Sequence, residues 1–165
     1  KLKKEREMFY KNDVDMDSVN KMEELHCFLK ETLRMTTPIP VAMDRIAVKD
    51  HKLGDVDIPK GMRVKPDYFA VAYDEKYWTE PEKFNPERWK GKIDPSAFLP
   101  FLAGPRNCIG QHLAMIEAKV IVSEFLERFE FKLKDGYQLK MIYRFLYEPE
   151  DEILFDLKPK KDITV

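Results

Sequence analysis

Apolar residues recur at helical spacing in two stretches of the chain and alternate in two others. Met22, Leu25, Leu29 and Leu33 form one stripe at i, i+3, i+7 and i+11, which predicts a helix over 18–35 with Ser18 as its cap. Thr36-Thr37-Pro38-Ile39-Pro40 closes it, because proline and the residue before it resist helical geometry. Cys27, Phe28 and Met35 make the other side apolar too, so this helix should be buried. A second helix is predicted over 110–129, with Ala114, Ala118, Ile121, Val122, Phe125 and Phe129 as its buried face. The alternation in Phe129–Leu133 and in Ile153–Leu157 predicts strands.

Between the helices the pattern shortens. Arg45–Val48 and Gly61–Val64 read as extended pieces of a small antiparallel sheet, separated by a turn-rich stretch over 50–55. A short helix is expected over 67–73, and 78–107 holds five prolines with little periodicity. A long irregular stretch of that kind is usually functional. The fold class expected is mainly α with small β-sheets (α+β), in one piece over 1–165.

Composition removes several functions. The formal net charge is -1 and no long basic run is present, so nothing favours nucleic acid as a partner. No apolar run approaches the ~18 residues that span a bilayer. The opening Lys1 and the charged segment KLKKEREMFYKN read as the middle of a helix, and the expectation is a fragment. Two cysteines, Cys27 and Cys108, are too few for a disulfide framework or a four-cysteine zinc site. Cys27, on a helix face with Phe28 and Met35, reads as a small buried apolar residue.

Cys108 reads differently. It lies in Phe101-Leu102-Ala103-Gly104-Pro105-Arg106-Asn107-Cys108-Ile109-Gly110, with the spacing F-x-x-G-x-R-x-C-x-G. A cysteine between a loop and a helix start is placed where backbone N–H groups and the helix dipole favour a thiolate. Gly104 and Gly110 permit tight turns and close approach to a large flat ligand. Arg106 is suited to an anionic group such as a heme propionate, Phe101 would shield the sulfur, and small Ala114 and Ala118 would let the helix run beside a porphyrin. These requirements fit a heme-thiolate site with Cys108 as the iron ligand. His112 reads as a helix-surface residue.

A second constellation is Glu31-x-x-Arg34, a carboxylate and a guanidinium on one helix face. Such pairs are mostly solvated and of little worth. On a helix apolar on both sides, however, the pair is expected to be buried and to need further partners.

These motifs resemble the cytochrome P-450 family along nearly the whole chain, the cysteine loop matching that family's heme-binding signature. The resemblance implies the C-terminal, heme-binding part of that fold. It implies heme b with Cys108 as the axial thiolate, the family of cysteine-ligated hemes in general heme chemistry. It implies that Arg88, in Phe84-Asn85-Pro86-Glu87-Arg88-Trp89, completes a structural triad with Glu31 and Arg34, and that Arg45 is a second propionate partner. Pro38–Met43 and the turn over 149–153 fall where the family lines its substrate pocket. Leu102 and Thr37 depart from the family pattern, which often has glycine and proline there.

The activity implied for the complete protein is that of a monooxygenase acting on a small lipophilic substrate. An NADPH-dependent reductase would supply electrons near Cys108, with Lys119 and Lys132 as basic contacts. The endoplasmic reticulum membrane is the implied location, reached through an N-terminal anchor upstream. The family's oxygen-handling helix and its acid-threonine pair are also expected upstream, so these residues alone are expected to be inactive. The same cysteine segment serves isomerases and dehydratases that use no external oxygen, and a heme-binding fragment without turnover is a further alternative.

Overall fold

The computed structural model describes residues 1–9, 16–41 and 43–160. Five helices carry the fold: α1 (Leu2–Phe9), α2 (Met16–Lys21), α3 (Glu23–Met35), α4 (Tyr68–Ala72) and α5 (Gln111–Arg128). Eight short strands pair into four antiparallel ribbons. β1 (Arg45–Ile46) pairs with β4 (Arg63–Val64), and β2 (His51–Leu53) with β3 (Val56–Ile58). β5 (Phe129–Leu133) pairs with β8 (Phe155–Pro159), and β6 (Met141–Tyr143) with β7 (Tyr147–Pro149).

The single helix expected over 18–35 is two helices. The chain leaves helical geometry at Met22, where ψ is 87°. The break leaves the first N–H groups of α3 in need of acceptors, and they find Glu5 of α1. Its carboxylate accepts from Glu24 N at 2.7 Å and from Leu25 N at 2.9 Å. A carboxylate at a helix N-terminus satisfies the otherwise orphaned donors and complements the dipole. The cap is therefore Glu5, far away in sequence, and not Ser18.

Val19, Met22, Leu25 and Leu29 form the buried core, with Met115, Ala118, Val120 and Val122 of α5 packed against it. The face of α5 that turns inward is rotated from the expected one. Lys119 and Ser123 are its most buried residues, whereas Ala114 is exposed and Ile121 is 66% exposed. Because α5 is apolar nearly all round, its periodicity does not single out one face. Lys119 Nζ donates to the carbonyl of Val19 at 3.1 Å and ties α5 to α2. Burial holds its pKa below the usual lysine value, with Glu5 opposing that shift. Lys119 is thus an internal strut, which removes it as a surface contact for a redox partner. Lys132 is exposed and pairs with Asp135 and Asp156.

Other boundaries shift for local reasons. The turn-rich residues around 50–55 are themselves a hairpin, β2–β3, reversing at Gly54 with φ +58°. Arg45–Ile46 pairs with Arg63–Val64 in the first ribbon, and Ala47 extends it by bonding Met62 and Gly61. α4 begins one residue late, after Asp67, whose side chain accepts from Ala70 N. The 78–107 stretch is not featureless, for 3-10 turns form at Pro86–Lys90, Pro95–Ala97 and Gly104–Arg106. The β6–β7 hairpin lies where no strand was expected. The charged opening segment forms α1 over Leu2–Phe9, and its remainder lies outside the described residues.

Candidate functional site: a cysteine-walled cavity over a buried charge cluster

The α3 face opposite the core carries Glu31 and Arg34, both fully or almost fully buried. Arg34 grips Glu31 with two hydrogen bonds, Nε to Oε2 at 3.0 Å and Nη2 to Oε1 at 2.9 Å. Arg88 Nε adds a third at 2.9 Å, reaching Oε1 from the 3-10 turn at Pro86–Lys90. The structure therefore brings Glu31, Arg34 and Arg88 into one cluster. Two further donors escaped the sequence reading: the backbone N–H of Asn85 and the indole Nε1 of Trp89, each at 2.9 Å from Glu31. Burial alone would raise the Glu31 pKa. The hydrogen bonds from Arg34, Asn85 and Arg88 outweigh it and hold the carboxyl below its usual range.

The arginines are saturated on their other sides. Arg34 Nη1 donates to Ala72 O at 2.7 Å, and its plane lies over Trp78 and Tyr73. Arg88 donates to the carbonyls of Thr79, Glu80 and Lys83, fixing the loop between α4 and the 3-10 turn. Planar, permanently charged forks suit such multi-carbonyl anchoring. Trp78, 1% exposed, sits under both guanidiniums and donates to Val71 O.

From this cluster the chain runs through Phe98 to the cysteine loop. The loop closes on itself, Cys108 N–H donating to Phe101 O at 2.8 Å. Gly104 takes φ +76°, where glycine has no steric penalty. Leu102 takes φ +64°, a left-handed conformation that strains a residue with a branched side chain. Leu102, one of the two departures from the expected pattern, thus holds the very geometry that glycine favours. Gly110 has an ordinary φ of -87°, so its role is not a turn. A Cβ there would meet the Cys108 sulfur at 3.9 Å, a contact rather than a clash. α5 starts at Gln111, three residues past the cysteine.

Beside the loop lies a cavity of about 810 Å³, within the ~300–1,000 Å³ range of small-molecule and cofactor sites. Phe101, Leu102, Arg106 and Cys108 form one wall, and Ala114, Met115 and Ala118 of α5 another. Leu29, Thr32 and Leu33 of α3 contribute a third, with Pro38, Ile39 and Val41 beyond them. Arg45 reaches it from β1. Cys108 is exposed, whereas Cys27 is buried and its thiol pKa is raised by that burial. Among the described residues the side chains of Arg45 and Arg106 make no hydrogen bond or ion pair, and both line the cavity. His112 is exposed and does not line it.

The β6–β7 hairpin supplies Tyr143 and Phe145 to the lining. Tyr147 N–H donates to Pro38 O at 2.8 Å and pins the hairpin to the turn after α3. The turn over 149–153, expected to line the pocket, does not; the hairpin tip does. Of the turn expected at Pro38–Met43, residue 42 lies outside the described residues. A soft sulfur donor, small residues along a helix and two guanidiniums on the cavity wall fit a flat apolar ligand that carries a metal and carboxylates.

Comparison with known proteins gives one answer. The profile of the cytochrome P-450 family matches residues 1–157. Cytochrome P-450 3A31 of Mesocricetus auratus is 39% identical over 153 residues, covering 89% of this chain and 30% of the relative. Human cytochrome P-450 3A5 is 41% identical over 143 residues, 84% of this chain and 28% of the relative. A cytokinin hydroxylase of Arabidopsis thaliana is 36% identical over 158 residues, 93% of this chain and 30% of the relative. The chain spans about 30% of the length of these curated relatives.

Proposed function

The chain belongs to the cytochrome P-450 family, and on that premise we propose that it forms the cysteine-bearing wall of the heme site in a heme-thiolate monooxygenase. The observation that carries the reading is the position of Cys108, exposed on the wall of an apolar cavity and held by the hydrogen bond from its own N–H to Phe101 O. Heme b fits this donor set. When bound, it supplies the chemistry that cleaves O–O bonds, favoured by a thiolate ligand that donates electron density to iron.

The residues of this chain then have separate duties. Cys108 would provide the sulfur ligand to the iron. Arg106 and Arg45 would take the propionates through charge-assisted hydrogen bonds, a role supported by both guanidiniums lining the cavity. Ala114 and Ala118 would leave room for the ring beside α5, and Phe101 would limit water at the sulfur once heme is bound. Gly104 turns the loop, and Gly110 leaves room beside the sulfur. Glu31, Arg34 and Arg88 touch no reacting atom and support the loop from beneath.

The substrate is a small lipophilic molecule, admitted past the apolar rim of Ile39, Tyr143 and Phe145. Electrons come from an NADPH-dependent reductase. The complete protein is proposed to sit at the endoplasmic reticulum membrane; among the described residues no helix is long and apolar enough to cross a membrane. The test is the absorption spectrum of the reduced, carbon monoxide-bound protein. A thiolate-type Soret band that Cys108→Ser abolishes is the expected result. A band unchanged by that substitution removes Cys108 as ligand and the proposal with it.

A further inference from the structure

Trp89 touches both the buried charge cluster and the route to the cysteine loop, and no duty above accounts for it. Its indole N–H donates to Glu31 Oε2 at 2.9 Å. That oxygen is otherwise bonded only by Arg34 Nε, whereas Oε1 takes Arg34, Arg88 and Asn85. On its other side the Trp89 ring meets Phe98 edge-on, with centroids 4.5 Å apart. Trp78 packs against it at 5.3 Å, and the Lys30 ammonium lies 5.3 Å above it. Phe98 enters the loop directly: the next carbonyl, Leu99 O, accepts from Leu102 N at 3.0 Å, and Phe101 O accepts from Cys108 N.

We infer that Trp89 is a positioning residue for the Cys108 sulfur, acting through Phe98. The inference rests on the thiolate reading above. The indole N–H fixes the ring angle against an immobile carboxylate, since Glu31 is fully buried and held by four other hydrogen bonds. An edge-on aromatic contact depends on that angle. Phe98 transmits it to a loop otherwise held by its internal backbone hydrogen bonds, Leu102 N to Leu99 O, Asn107 N to Gly104 O and Cys108 N to Phe101 O, with a strained turn at Leu102. A phenylalanine at 89 would keep the apolar ring and lose the hydrogen bond, leaving the Phe98 contact free to rotate.

The experiment uses the complete heme-loaded protein. Trp89→Phe is compared with the parent and with Val19→Ala, a core truncation that does not line the cavity, by following the thiolate-type Soret band of the reduced carbon monoxide complex during mild warming. Thermal unfolding is recorded in parallel. Trp89→Phe is expected to shift the balance between thiolate-ligated and thiolate-lost heme about tenfold toward loss, the scale of one hydrogen bond to a charged group. Val19→Ala should lower the unfolding temperature and leave that balance unchanged in the folded fraction. A Trp89→Phe protein that retains its thiolate band like the parent overturns the inference alone. A parent with no such band overturns the heme reading, and this inference falls with it.

Discussion

Leu102 and Gly104 sit two residues apart in the cysteine loop, and both hold left-handed backbone, with φ +64° and +76°. Glycine adopts that region freely, whereas another residue pays about 1–2 kcal/mol for it. Leu102→Gly should therefore raise stability by roughly 0.5–1 kcal/mol, some of the strain relief being offset by lost apolar contact and added chain entropy. Gly104→Ala should lower it by about 1–2 kcal/mol, although no atom lies within 4 Å of the added methyl. Urea unfolding of the two variants checks both signs. A Leu102→Gly protein weaker than the parent would show that the leucine contact outweighs the strain.

The Glu31 cluster predicts a strong asymmetry between its members and surface charges. Glu31→Gln leaves two buried guanidiniums with no counter-charge and should cost about 3–5 kcal/mol. Lys83→Ala removes an exposed pair with Glu80 and should change stability by less than about 1 kcal/mol. Thermal melts of the two variants side by side measure the contrast.

His26 gives the chain an acid-sensitive element. Burial, helped by Lys30 and Lys119, lowers its pKa from 6.5 to about 4. The unfolded state therefore binds a proton at a pH where the native state refuses it. Stability from this group should be complete above about pH 6.5 and should fall as pH drops toward 4. His26→Gln should flatten that slope in chemical denaturation measured across the same interval, and an unchanged slope would assign it to other groups.

Phe145 is 69% exposed yet lines the cavity. Phe145→Ala should leave the unfolding free energy within about 0.5 kcal/mol of the parent. In the heme-loaded protein it should weaken lipophilic ligands, measured by spectral titration, without altering the thiolate band. A lost thiolate band would mean that the hairpin supports the loop instead of the rim.

Much of this architecture is legible in residue types and spacing, and the exceptions have physical causes. The burial of Glu31 and Arg34 follows from a helix with two apolar sides. The indole of Trp89 gives no such signal, because spacing does not tell which way an N–H points. The break at Met22 is hidden because Met22 is itself on the apolar stripe, and its compensation comes from Glu5 on another helix. On α5 the inward face includes Lys119, whose long stem packs while its ammonium finds a backbone carbonyl. A polar letter at a core position misleads any periodicity reading.

The Glu5 cap has a consequence for how motion at one end of the chain would be seen. The amide hydrogens of Glu24 and Leu25 are held by a carboxylate on α1, not by their own helix. Each time α1 lifts away, those two amides lose their acceptor together and become open to exchange with solvent deuterium. Deeper α3 amides keep their i−4 carbonyls during the same event. Exchange at Glu24 and Leu25 would thus time the opening of α1, a helix two elements away from where the label appears.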